Sequence, residues 1–219
     1  ETLSADAFSP EKFLEGLERF EVRLNPQHLY ALVLRVGYRN SPKSAARLTA
    51  IFSICEEVLG GDYTIYCFQS KETEFALLLS PKQEATEMGD IVLACEKLVN
   101  LLEQYLGVTV SIGVGNRAHQ ALDIPLVYAQ AQKAIAHRFC SGRGPIILWE
   151  EVEQLPPLCT GYSVLQYGPM LAKAFSNRQA SEVAACLDTI LNDFLTLRLD
   201  PETAGQSALE LYAIVCETI

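Results

Sequence analysis

The apolar positions change period several times along the chain. Leu29–Val36 (Leu-Tyr-Ala-Leu-Val-Leu-Arg-Val) is apolar nearly throughout, which suits a central strand covered on both faces. Before it, Pro10–Phe20 reads as a short helix, with a turn around Asn25-Pro26. Ser41 and Pro42 open a helix whose stripe is Leu48, Ile51, Phe52, Cys55, Val58 and Leu59, stopped by Gly60-Gly61. Tyr63–Phe68 and Glu74–Leu79 are β-rich runs parted by a few polar residues, the pattern of a hairpin. Pro81–Gly89 leads into a long helix with Ile91, Cys95, Leu98, Leu102 and Tyr105 on one face. Val108, Val110 and Ile112 alternate with Thr109 and Ser111, predicting a strand over Val108–Val114. Ile124–Phe139 is a helix with small residues Ala131 and Ala134. Gly142–Pro145 is a turn and Ile146–Trp149 a last strand. The order β-α-β-β-α-β-α-β predicts an α+β fold: a ferredoxin-like antiparallel sheet with helices on one or both faces and one further strand.

Beyond Leu155-Pro156-Pro157 the pattern is helical only, predicting a C-terminal helical extension. Val164–Phe175 comes first. Next is the stripe Val183, Cys186, Leu187, Ile190, Leu191, Phe194, and then a helix with Asp200 as N-cap and Pro201 at its first position. Such helices leave apolar faces uncovered unless they pack on the sheet or on another chain. Val183, Leu187, Ile190, Leu191 and Phe194 are therefore the expected interface, in a homodimer or against the sheet domain. The organisation expected is 1–27 as N-terminal helix and linker, 28–152 as the α/β domain and 153–219 as a helical linker. An opening Glu1 and a helical pattern running to Ile219 suggest a piece of a longer protein.

Composition narrows the partners. The net charge is −10 and the pI about 4.8, the wrong sign for phosphate backbones or anionic membranes. No apolar run reaches the roughly 18 residues of a membrane span, and no secretory signal opens the chain. The seven cysteines are odd in number and form no CxxC pair, so reduced thiols and a cytoplasmic location are expected. His28, His119 and His137 lack metal or triad spacing and are read as surface or helix residues. Gly113-x-Gly115 is too short for a dinucleotide loop, and Asn116-Arg117 reads as a solvated turn.

The hairpin Thr64–Leu79 resembles the signature hairpin of diguanylate cyclases, where Gly-Gly-Asp/Glu-Glu-Phe forms the turn before an Ala-Leu-Leu strand. Here the five positions read Lys71, Glu72, Thr73, Glu74 and Phe75. Gly60-Gly61-Asp62 is a decoy, since it ends a helix rather than joining two strands. Ser111–Gly115, Ala129–Ile135, His137-Arg138-Phe139, Ile146–Glu150 and the helical tail are similar to the middle region of AraC-type response regulators of the YesN kind. That resemblance implies a degenerate cyclase-like domain and linker, with a receiver domain before it and a helix-turn-helix after it; only through the latter would DNA be bound. The cyclases' metal carboxylate on the first strand has no counterpart in Leu34-Arg35-Val36-Gly37-Tyr38, the glycines that admit phosphate are replaced, and the RxxD motif is missing. Glu74 is left as a single exposed carboxylate. The expectation is a signal-relay domain with no catalysis, cofactor or metal. The alternatives are a sensory domain that binds a nucleotide or other small ligand without turnover, and an active or regulatory diguanylate cyclase module.

Overall fold

The structure, a computed structural model, describes residues 24–25, 28–38, 45–83, 85–141 and 144–218. The expected helix at Pro10–Phe20 and the helix start at Ser41-Pro42 lie outside these residues. The described chain divides into two units, one formed by Glu1–Ile135 with Arg143–Gln154 and one by Ala136–Gly142 with Leu155–Ile219.

The first unit is built on five strands: β1 (Tyr30–Tyr38), β2 (Tyr63–Lys71), β3 (Glu74–Pro81), β4 (Val108–Val114) and β5 (Ile146–Leu148), in the order β2-β3-β1-β4-β5. Helices α1 (Ala45–Leu59), α2 (Met88–Leu106) and α3 (Ile124–Ser141) alternate with them as expected. The sheet is mixed rather than wholly antiparallel, because β5 runs parallel to β4. The reason is α3: a helical crossover returns the chain in its original direction, whereas the β2–β3 turn reverses it. Trp149, expected as the end of β5, instead begins a short helix, α4 (Trp149–Val152).

β1 is central and its side chains are buried alternately on both faces. Leu32, Leu34 and Val36 meet Leu77, Leu79, Val110 and Ile112 beneath Ile51, Cys55, Ile91, Cys95 and Leu98 of α1 and α2. Ala31 and Val33 join Ala76 and Leu78 beneath Val127, Ala131 and Ile135 of α3. A Cβ on Gly113 would collide with the Ala131 carbonyl and Ile135, and one on Gly115 with the Val127 carbonyl. These two glycines let the backbone of α3 lie directly on β4, so their spacing is a packing device and not a ligand loop.

The second unit contains α5 (Gly168–Ser176), α6 (Ala180–Thr196) and α7 (Pro201–Thr218). Gly168-Pro169 delays α5, so Leu165–Tyr167, expected within the helix, form a separate 3-10 turn. The Asp200 carboxylate caps α7, accepting from the amides of Glu202 at 3.0 Å and Thr203 at 3.2 Å. Val164, Leu171, Cys186 and Ile190 form a buried cluster flanked by Tyr162, Val183, Phe194, Leu211 and Ile214. These helices bury part of their apolar faces against each other, while Leu191, Leu195, Leu209 and Tyr212 stay exposed. Of the five expected interface residues, Val183, Ile190 and Phe194 belong to this internal cluster. Leu187 is half-buried, and Leu191 is 58% exposed.

Candidate functional site

The β2–β3 hairpin brings Lys71, Glu72, Thr73, Glu74 and Phe75 together at one end of the sheet. Its register runs from Tyr63 opposite Pro81 to Gln69 opposite Phe75, then shifts so that Lys71 faces Glu74. That bulge bends the strand end, and Ser70 Oγ donates to the Glu74 carbonyl at 3.3 Å. Gln69 Nε2 donates to the Glu72 carbonyl at 3.2 Å. The turn is also tied to β1, because the Val36 amide donates to the Thr73 carbonyl at 2.8 Å. Phe75 is fully buried and meets Phe52 edge-on, the ring centroids 5.6 Å apart.

Glu74 is not the exposed carboxylate expected from its place beside a turn. It is 6% exposed, because it lies directly across from Arg35 in the β1–β3 ladder. Arg35 Nη2 stands 3.5 Å from Glu74 Oε1, and Lys71 Nζ stands 3.3 Å from the same oxygen. One carboxylate oxygen thus faces a guanidinium and an ammonium. A buried carboxylate requires such compensation. The role of Arg35 was not legible from residue type alone. The β1–β3 register, counted outward from the paired apolar runs, is the signal that places it.

The sequence matches the GGDEF-like domain family over residues 5–137. The chain belongs to that family. Among solved structures, the active GGEEF domain of a diguanylate cyclase from Vibrio cholerae is similar at 14% identity and a TM-score of 0.42, over 63% of this chain and 90% of that one. A hydantoinase/carbamoylase family amidase from Burkholderia ambifaria is similar at 14% identity and a TM-score of 0.32, over 60% of this chain and 43% of the amidase. Among curated proteins, none matches.

In this GGDEF-like domain the remaining candidate residues are scattered. His28 is buried rather than on the surface, 5.8 Å from the Tyr30 ring. His137 is buried as well, and its Nδ1 lies 2.8 Å from Arg198 Nη2. The His119 amide donates to Asp123 Oδ2 at 3.0 Å, and the Asn116 amide donates to Gln130 Oε1 at 3.0 Å. Among the described residues no three of His, Cys, Asp and Glu lie close enough to share a metal, and no helix is long and apolar enough to cross a membrane. Burial pushes the Cys95 thiol up to about 12, while the Cys67 contact and burial raise Cys55. Such thiols are poor nucleophiles at neutral pH. The Gly60 and Gly61 carbonyls accept from Lys82 Nζ at 2.6 and 3.1 Å. Nearby, at the end of β2 away from the turn, a cavity of about 270 Å³ is lined by Asp62, Tyr63, Thr86, Asp90 and Lys97.

Proposed function

We propose that this GGDEF-like domain relays a signal without turning over nucleotide, within a transcription regulator of the AraC-type response-regulator class. The observation that carries the reading is the pair of cations on Glu74. A nucleotide cyclase needs clustered carboxylates to hold the metal ions that clamp the attacking and leaving oxygens. Here Glu74, the turn carboxylate at the position that matches the cyclase motif, is opposed by Arg35 and Lys71, so a divalent ion would have to displace both and meet their repulsion. The pair Lys71-Glu72 stands where glycines would let backbone amides approach a phosphate. The AraC-type context is supported by the sequence resemblance described above and by the acidic charge, which leaves DNA contact to a separate domain.

The family match by itself favours the second reading, an active or regulatory diguanylate cyclase module. Incubation with GTP and magnesium, with chromatographic detection of cyclic dinucleotide, decides between them. No product is expected from the chain or from its Lys71→Gly/Glu72→Gly variant, because glycines leave Arg35 in place and supply no carboxylate. Product from either protein would establish the cyclase reading.

A further inference from the structure

Among the described residues β2 is the last strand of the sheet: it pairs with β3, and no described strand lies along its other side. Edge strands are ordinarily guarded by charge, proline or shortness. This strand is 9 residues long, and Thr64–Ser70 (Thr-Ile-Tyr-Cys-Phe-Gln-Ser) holds no charge, proline or glycine. Phe68 on it is 38% exposed. Its neutrality matters on a chain of net charge −10, since two copies repel over much of their surface and approach most easily where charge is missing.

We propose that β2 pairs antiparallel with β2 of a second copy about a two-fold axis at Tyr66, joining the two sheets into one. Such an axis stands normal to the sheet and keeps each face continuous, so opposed residues share a face. Centring on Tyr66 sets Ile65 opposite Cys67, Thr64 opposite Phe68 and Tyr63 opposite Gln69. The register shift between Gln69 and Lys71 then carries Lys71 to the place opposite Asp62. Symmetry repeats that opposite-charge pair at the other end of the ladder. Centring on Ile65 or Cys67 instead would set Lys71 opposite Gly60 or Thr64, with no partner charge. The bulge therefore makes one register electrostatically self-complementary. This pairing does not depend on whether GTP is turned over.

Sedimentation velocity on the whole chain is expected to show a monomer–dimer equilibrium. Asp62→Lys sets two lysines against each other at both ends and raises the dissociation constant about tenfold. Adding Lys71→Glu to it restores dimerisation. Thr64→Cys with Phe68→Cys gives a reducible covalent dimer on non-reducing gels, well above either single variant, because only this register opposes those two positions. Circular dichroism confirms that each variant is folded; should Asp62→Lys unfold the chain, the cysteine pair decides. A chain that stays monomeric at every concentration overturns the proposal. So does a dimer indifferent to Asp62→Lys in a folded variant, or cross-linking no greater in the double cysteine variant than in the singles.

Discussion

Glu74 shows how a buried carboxylate depends on the cations placed around it. Its burial leaves few ways to compensate the charge, and Arg35 and Lys71 share that task unequally. Lys71 has a side chain 66% exposed and Arg35 one 38% exposed, so water screens the lysine more strongly. Lys71→Ala alone is expected to change stability by no more than about 0.5 kcal/mol, since Arg35 remains. Removing both cations leaves a desolvated carboxylate with neither partner. The double alanine variant should therefore lose roughly 1 kcal/mol more than the two single losses added together. Urea denaturation of the four proteins in this cycle measures that coupling, and strict additivity would mean the carboxylate is compensated from elsewhere.

At the scale of elements, α6 separates what periodicity can and cannot say. The stripe Val183, Cys186, Ile190, Phe194 was legible as apolar, but a stripe carries no record of which surface covers it. The covering residues, Leu171, Leu211 and Ile214, come from α5 and α7. Ile190 is 1% exposed and Leu191, its neighbour in sequence, is 58% exposed. Ile190→Ala should cost about 2–5 kcal/mol, whereas Leu191→Glu should stay within about 0.5 kcal/mol. A thermal or urea melt of each distinguishes an internal core from an interface that needs both residues. The strands and helices of the sheet unit were read nearly to their ends, because alternation and apolar runs report burial on a regular lattice. The mixed sense of the sheet was missed: strand direction follows from the crossover and not from composition. Arg35 was missed as a site residue for a related reason, since it acts through a neighbour 39 positions away, a pairing fixed only by the ladder.

At the scale of the whole molecule, one constellation ties the helical unit to both acid and base. The hydroxyls of Tyr162 and Tyr167 donate to Asp193 Oδ2 at 2.8 and 2.7 Å. These bonds hold the Asp193 carboxyl below its ordinary value. Burial first, and then the Asp193 contact, pushes the Tyr162 phenol up, while Tyr167 is raised chiefly by its bond to Asp193. A depressed carboxyl stabilises above its unfolded pKa of about 3.9, and that contribution is lost as pH falls through the lower folded value. The raised phenols stabilise fully below about pH 10, and their contribution is lost as pH rises through the folded values. Melting temperatures followed from acid to alkali should thus fall at both ends, and Asp193→Asn should flatten the acid limb; an unchanged acid limb would exclude this constellation as its source. The placement of β1 has a consequence of another kind, for synthesis on the ribosome. β1 lies at the middle of the sheet, yet its partners β3 and β4 begin only at Glu74 and Val108. At about 5–20 residues per second, the apolar segment Leu29–Val36 is made seconds before either neighbour can pair with it. A nascent chain halted after Thr73 would present its most hydrophobic strand with both edges open, which makes translation speed through α1 and β2 a determinant of how much protein reaches the folded state.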